Sequence, residues 1–546
     1  MRTSTPRSDL ERLAWPALPE DVLRTLHEAG QVRELVAGDV LFDVREAGYD
    51  LVVLLEGAVD IVDRADDHVV VTVEAPNFIG ELGMLLGQGT FLAGVAAGPT
   101  RALVVPQHRL VQLVAEVPEV GDLIVTAFAA RRRLLVEWHD GGLAVLGAEG
   151  DAATVRLLEF ASRSRLPHHF VDAVADPDAA AAVLAACGVE PDFAPDLPVV
   201  VTGDRRMLQS PSVREVAVAL GLALTVGDEA VDLLVVGAGP AGLAAAVYGA
   251  SEGLRTLVLE DTAIGGQAGT SSRIENYLGF ATGVAGAELA FQGQIQAVKF
   301  GARLAVPLQA AALRREGEHL LVTCDDGTEV RARAVVVASG ARYRRLPVPG
   351  LERFEGAGVY YAATEMEARF CRGTEAVVVG GGNSAGQAAM FLSRQAAHTH
   401  LVVRRDGLAD TMSSYLSDRI AVDPRITLHP STEVTGLHGD GRLQAVTLTD
   451  RAAGTATRVE SRAVFTMIGA APNTEWLAGA VDLDDDGFVV TGRDGDPYAT
   501  SEPGVWAVGD VRSGSTKRVA AAVGEGSVVV SALHRYLGAL APSVLT

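Results

Sequence analysis

Cysteine is nearly missing from this chain of 546 residues: only Cys187, Cys324 and Cys371 occur, far apart, with no Cys-x-x-Cys and no zinc-ligand spacing. That excludes a disulfide-built secreted scaffold and a zinc module, and an odd, sparse count fits a reducing cytoplasm. Positive charge is also short, since 46 Lys and Arg against 69 Asp and Glu leave a formal net charge of −23. A surface of that sign repels phosphate backbones and acidic lipid, so no nucleic acid and no membrane is expected as a partner. Aromatic residues make up only 5%, which suits nucleotide-binding sheets better than a base-stacking platform. No uninterrupted apolar run of about 18 residues is present, which argues against a membrane span. The opening MRTSTPRSDLERLAWPALPED lacks the apolar core of a signal peptide.

What is plentiful is aliphatic and flexible: hydrophobic residues reach 48% and glycine counts 59. The length implies roughly three to five domains, and the pattern changes along the chain. Residues 35–106 alternate short β-rich runs (DVLFDV, DLVVLLEG, AVDIVDR, VVVTVE, RALVVP) with glycine turns, the spacing of a sandwich or barrel. Residues 107–140 read as helix. Residues 143–226 alternate strand and helix: LAVLG, TVRLLEFASRS, HHFVDAV, DAAAAVLAACG, a PVVVTGDRRML hairpin and SVREVAVALG. From 231 the pattern is strand, glycine turn, helix, strand, and it returns at 376–405.

The two glycine turns carry the chemistry. Gly237, Gly239, Pro240, Ala241 and Gly242 follow the apolar strand LLVV and open the helix AGLAAAVYGA. Gly237 permits the tight turn, Gly239 lets backbone approach a pyrophosphate, and Gly242 lets helix and strand pack closely, with the helix N-terminus facing the phosphates. Glu260 ends the next strand, where an acid holds ribose hydroxyls. Gly380, Gly382, Asn383, Ser384 and Ala385 repeat the arrangement, but the following strand ends in Val403, Arg404 and Arg405. Two arginines attract a 2′-phosphate that an acid would repel, so NADPH is expected over NADH. Two such turns in one chain point to one flavin and one nicotinamide, with hydride passing from NADPH to FAD.

Residues 229–546 resemble the low-molecular-weight thioredoxin reductase family. GAGPAGLAAAVYGASEGL is similar to that family's FAD fingerprint, and GGQAGTSSRIENYLGF to its flavin-lining segment, so the resemblance makes Gly266, Gln267 and Asn276 FAD contacts. VVVASGARYRRLPVPG resembles the crossover into the NADPH domain and IGAAPNTEWL the return. VWAVGDVRSGSTKRVAAAVGEG resembles the C-terminal FAD motif, with Asp510 on the ribityl chain and Arg518 and Val519 beside the flavin ring; the family has Gln where this chain has Val519. The family's Cys-x-x-Cys would fall on Ala362 and Glu365, or on Ala363 and Met366, and neither choice gives a cysteine. Cys371 is close but single, and reads as a packed small side chain. Flavin electrons then have no dithiol route to thioredoxin.

Residues 143–226 resemble a thioredoxin- or glutaredoxin-like fold, with Pro198 at the family's proline position and no cysteine in EGDAAT. Residues 20–140 resemble a cyclic-nucleotide-binding domain. Gly38, Gly48 and Gly57 mark its roll and FIGELGMLLGQGTFLAGVAA its phosphate cassette; Glu81 matches the ribose-binding acid, while the phosphate Arg and its hydroxyl neighbour fall on Phe91 and Leu92. Tight cyclic AMP binding is not expected without that cation.

The expected architecture is therefore multidomain. It comprises a β-roll with helices over 1–141, an α/β thioredoxin-like module over 142–227, and two Rossmann-like domains, one for FAD over 228–347 and 470–546 and one for NADPH over 348–469. The expected function is an NADPH-dependent flavoprotein reductase of thioredoxin–disulfide reductase type with an open acceptor. A ferredoxin–NADP reductase-like enzyme and a flavin-bearing sensor read through the β-roll are the alternatives. The resemblance also implies a homodimer.

Overall fold

A computed structural model describes residues 2–3 and 8–540, apart from 47, 65–66, 139–141, 150, 191–192, 194, 225, 227–228, 272, 362, 364 and 410. It falls into two compact units, residues 1–340 with 474–546, and residues 341–473.

The first unit opens with a β-roll of two sheets, antiparallel except for Arg2–Thr3, which pairs parallel with His68–Glu74. One pairs His68–Glu74, Ala58–Asp63, Ala93–Ala96 and Val40–Phe42; the other pairs Gln31–Leu35, Thr100–Val105, Leu51–Glu56 and Asn77–Ile79. Gly38, Gly48 and Gly57 all take positive φ at its turns. Helices Gln107–Glu116 and Pro118–Trp138 close the roll, and the second buries Ile124, Phe128 and Leu134 against it together with Arg131 and Arg132.

A four-stranded sheet follows, ordered His168–Asp172, Leu143–Gly147, Val199–Val201, Met207–Gln209, with the first pair parallel and the rest antiparallel. Helices Ala152–Arg163, Pro177–Ala186 and Val213–Ala219 alternate with the strands. Asp151 caps the first of these through the Ala153 and Thr154 N–H groups.

The remainder of this unit is built on a mostly parallel sheet ordered Arg303–Ala305, Thr256–Leu259, Val231–Val236, Glu329–Val337, His319–Cys324, Ala310–Glu316, with Val505–Ala507 added beside Glu329–Val337. Val231–Val236 reads as a nearly unbroken apolar run because both its faces are covered. Helices Pro240–Ser251 and Val519–Ala539 share one core with Leu233 and Val235, while Leu234 and Val236 face a second core with Trp476 and Leu477. The sheet aligns Val236 with Leu259 and with Val337, so the three strand ends that carry the glycine turn, Glu260 and the 338–340 loop meet at one edge.

The second unit holds a parallel sheet ordered Val359–Tyr360, Ser461–Thr466, Glu375–Val379, His398–Val402, Ile426–His429, beside an antiparallel sheet of Thr432–Asp440, Arg442–Asp450 and Thr455–Val459. Among the described residues no helix is long and apolar enough to cross a membrane.

Candidate cofactor sites

In the first glycine turn, Gly237 has φ +107°, and a Cβ there would lie 2.3 Å from the Ala338 carbonyl oxygen. Gly242 is tighter still, since its Cβ would stand 1.8 Å from the Gly237 carbonyl oxygen. Both glycines are therefore fixed by strand–helix approach. Gly239 is different: the nearest atom to an added Cβ is the Gly266 Cα at 3.8 Å, so the space before it is open. Gly239 caps the 12-residue helix Pro240–Ser251 without a side-chain hydrogen bond, and Pro240 sits in its first turn. The free N–H groups of that turn are donors for an anion in the open space. Ala241 is buried beneath the C-terminal helix, where a Cβ on Gly526 would lie 2.1 Å from the Ala241 carbonyl oxygen.

Glu260 is buried, and its carboxyl oxygen Oε2 accepts the Ala238 N–H at 2.7 Å. Burial first, and Asp261 beside it second, push its carboxyl up to about 8. Gly265 and Gly266 both have positive φ, and a Cβ on Gly266 would come within 2.9 Å of the Gly239 Cα, so this loop faces the glycine turn backbone to backbone. Gln267 and Asn276 are exposed on the segment that follows. From the other side, the Gly509–Val511 turn brings Gly509 against Ala241, with 2.9 Å between the Ala241 Cβ and a Cβ built on Gly509. Asp510 is held there with its carboxyl raised, chiefly by burial. Arg518 caps the helix that Val519 begins, and its side chain is exposed. Gly237 to Gly242, Glu260, Gly266 and Asp510 are thus drawn together, while Gln267, Asn276 and Arg518 stand exposed outside this cluster.

Two features of this site are not legible in the sequence. Glu525 accepts the Gly509 N–H at 2.6 Å and pairs with Arg512 at 2.7 Å, fixing the turn that carries Asp510. Arg163, from the four-stranded module, donates to the Ala263 carbonyl at 2.8 Å and the Gly266 carbonyl at 3.3 Å. The same module binds the helix Gly286–Lys299 through Arg165 and Glu288 at 2.7 Å, with Arg165 also stacked 3.9 Å over the Phe291 ring.

In the second unit, Gly380 has φ +145°, and a Cβ there would lie 2.3 Å from the Met467 carbonyl oxygen. Gly382 caps the helix Asn383–Leu392 with open space before it, the nearest atom being 3.9 Å from an added Cβ. The Asn383 side chain accepts the Ser413 N–H at 2.8 Å, and the Thr411 hydroxyl donates to the Gly381 carbonyl at 2.8 Å, so residues 411–413 brace the turn. Ser384 is exposed and Ala385 is buried under the sheet. Val379 pairs with Val402, which places Arg404 and Arg405 just beyond the strand end beside the turn. Both are exposed, and among the described residues neither guanidinium forms an ion pair or hydrogen bond.

These geometries match known proteins. Residues 231–526, more than half the chain, fit the model of the pyridine nucleotide-disulphide oxidoreductase family. The chain belongs to that family. Within it, this is a thioredoxin reductase-like flavoprotein, an NADPH-dependent oxidoreductase type that uses FAD. It is 38% identical to a thioredoxin reductase of Mycolicibacterium smegmatis over 307 residues, 56% of this chain and 96% of the relative. A thioredoxin reductase of Streptomyces clavuligerus is 35% identical, covering 57% of this chain and 95% of the relative. The crystal structure of thioredoxin reductase from Streptococcus pyogenes superposes with a TM-score of 0.53 at 30% identity, over 57% of this chain and 99% of that one. Residues 32–117 fit the cyclic nucleotide-binding domain model.

This reductase-like chain departs from its family at the redox pair. Ala362 lies outside the described residues, as do the side chains of Glu365 and Met366; Ala363 is half-buried. Cys371 is wholly buried, donates to the Ala368 carbonyl at 3.2 Å, and burial pushes its thiol up to about 11. Cys324 is buried at a strand end with its thiol raised to about 12 by burial. Neither is a thiolate near neutral pH. The β-roll departs too. Glu81, aligned with a ribose-binding acid, pairs with Arg132 at 2.6 Å instead, and Phe91 and Leu92 are buried in place of a cation and a hydroxyl.

Proposed function

We propose that this protein takes reducing equivalents from NADPH at the second glycine turn and delivers them to an acceptor that meets the flavin directly, without a dithiol of its own. The observation that carries the reading is the combination of two open helix N-termini, each without a side-chain cap hydrogen bond, with a sequence that has no cysteine at the redox-pair positions. When bound, FAD accepts hydride from NADPH and passes the electrons on. The chain's own residues bind and orient. Gly237, Gly239, Pro240, Ala241 and Gly242 cradle the FAD pyrophosphate, Glu260 receives a ribose hydroxyl, and Gly266, Gln267, Asn276, Asp510, Arg518 and Val519 surround the rest. Gly380, Gly382, Asn383, Ser384 and Ala385 cradle the NADPH pyrophosphate, and Arg404 and Arg405 take the 2′-phosphate. In this reading FAD belongs to 228–347 with 470–546, NADPH to 348–469, and the four-stranded module over 142–227 is a thioredoxin-like fold without redox cysteines. Its strand order and its alternation of strands and helices support that assignment. A homodimer in a reducing cytoplasm completes the proposal.

The test is anaerobic reduction. The purified yellow protein should bleach faster with NADPH than with NADH. It should then turn over with quinones or one-electron acceptors, and not with thioredoxin. A protein that binds no FAD on reconstitution, or one that reduces thioredoxin efficiently, overturns the reading.

A further inference from the structure

The β-roll contains a cavity of about 80 Å³. Its wall is mostly apolar and includes the rings of Trp15, Phe42, Tyr49, Phe78, Phe91 and Trp138, and Trp15 and Trp138 stack at 6.0 Å. A cyclic nucleotide asks two things of such a roll: a free cation for the phosphate and a free acceptor for the ribose. Neither is offered. The Glu81 carboxylate accepts the Gly83 N–H at 2.7 Å and the Arg132 guanidinium at 2.6 Å and 3.0 Å. Arg131 donates to three backbone carbonyls, those of Gly80 at 2.7 Å, Ala14 at 2.8 Å and Phe78 at 2.9 Å, with its guanidinium 4.3 Å over the Phe78 ring. The Thr90 hydroxyl donates to the Asp43 carbonyl at 2.6 Å. A phosphate placed here would shed its hydration without a free cation in return, a cost of several kcal/mol.

One polar group in the wall remains unsatisfied. The Tyr49 side chain is 3% exposed as a residue, and its hydroxyl is buried without a hydrogen-bond partner. Burial first, and the Glu81 carboxylate second, raise that hydroxyl well above the ordinary phenol value, while the Arg132 guanidinium, the Glu81 backbone N–H and the Arg131 guanidinium oppose the rise. A buried hydroxyl left unpaired costs stability that a ligand restores by accepting or donating to it. Apolar cavities with aromatic and aliphatic walls stay dry and take up small apolar molecules.

We infer that the β-roll cavity binds a small, uncharged, planar molecule, a single aromatic ring with one polar substituent that meets the Tyr49 hydroxyl, and not a cyclic nucleotide. Phe91, where a cyclic-nucleotide site would hold its phosphate cation, becomes part of the ring's packing surface, and Arg132 stacks behind it at 5.0 Å.

The probe is phenol, titrated calorimetrically into the full-length protein, with cyclic AMP and toluene as comparisons. Phenol should bind saturably at one site per chain, and cyclic AMP at 1 mM should neither bind nor displace it (~1 mM reaches even a weak nucleotide site). Tyr49→Phe should weaken phenol about tenfold and leave toluene unchanged, as loss of one hydrogen bond requires. Phe91→Trp, which fills the cavity, should abolish both. Since Phe91→Trp is a core overpacking, Tyr49→Phe decides the matter where that variant does not fold. Failure of phenol to bind saturably, displacement of phenol by cyclic AMP, or equal phenol affinity in Tyr49→Phe overturns the inference.

Discussion

Arg163 is the place where the four-stranded module touches the loop before Gln267, and replacing it separates a clamp from a spacer. Its side chain is 15% exposed, and its Nη2 donates to the carbonyls of Ala263 at 2.8 Å and Gly266 at 3.3 Å, while its Nη1 pairs with Glu159 at 3.3 Å. The surface pair with Glu159, whose side chain is 45% exposed, contributes little. The two charge-assisted bonds to carbonyls matter more, at roughly 1.5–3 kcal/mol each when buried; with partial exposure and the longer second contact, about 2 kcal/mol in total is the reasonable expectation. These bonds hold Gly265 and Gly266 in left-handed conformations opposite Gly239. Arg163→Ala lets the loop sample other conformations, and FAD must then order it on binding. The FAD dissociation constant should rise roughly 10- to 50-fold, read by fluorescence titration of flavin-free protein. Arg163→Lys retains the charge but not the fork, and should fall between. An unchanged FAD affinity in Arg163→Ala, with the fold intact by circular dichroism, refutes the clamp.

The open space before Gly239 and the closed space before Gly242 predict opposite failures. Gly239→Ala should leave the melting temperature of flavin-free protein unchanged yet weaken FAD binding, whereas Gly242→Ala should destabilise the protein itself by about 3 kcal/mol; equal melting temperatures for the two variants would contradict the geometry. Arg404→Ala with Arg405→Ala should lower kcat/KM for NADPH by roughly 30-fold or more and for NADH by less than about threefold. Steady-state kinetics at two salt concentrations checks this, and equal losses would remove the 2′-phosphate role. Glu260 has its carboxyl raised from 4.5 to about 8 in the folded chain. The folded state therefore holds a proton that the unfolded chain gives up, and flavin-free protein loses stability as pH climbs from about 4.5 through 8, by at most ~1.4 kcal/mol per pH unit from this group. Thermal melts should show a flatter pH profile in Glu260→Gln; an identical slope would mean that Glu260 is not protonated there.

Local grammar made the two dinucleotide turns readable. Val231–Val236 is apolar throughout because a central parallel strand has no solvent face, and the spacing of Gly237, Gly239 and Gly242 follows from contacts within one strand–turn–helix unit. The alternation over 143–226 likewise gave the strand and helix order of the module. The contacts that join modules were not readable. Arg163 meets Ala263 across 100 residues, Arg165 meets Glu288 across 123, and Arg132 meets Glu81 across 51. An arginine on a helix surface has the same local signature whether it faces water or a neighbouring domain. For that reason Glu81 aligned with a ribose-binding acid while the fold had already given it to Arg132. The bracing of Asp510 by Glu525 was hidden in the same way, since periodicity places a residue on a helix face and leaves open what lies opposite.

The same distinction decides what can follow reduction of the flavin. A dithiol relay is a local motif, and its absence is visible in the sequence at 362–366. Cys371 does not replace it: with its thiol near 11, roughly one molecule in ten thousand is a thiolate at pH 7, and it has no cysteine partner. Under the proposed function, electrons that cannot pass through protein sulfur leave from the flavin edge, and the acceptor approaches that edge itself. On that proposal, apolar side chains exposed beyond Gln267 bear on selectivity: Leu278 and Phe280 are exposed, and Tyr277 stacks on Phe280 at 6.1 Å. A flat, apolar acceptor such as a quinone fits that surface better than a hydrated anion does, because only the former gains from covering Leu278 and Phe280.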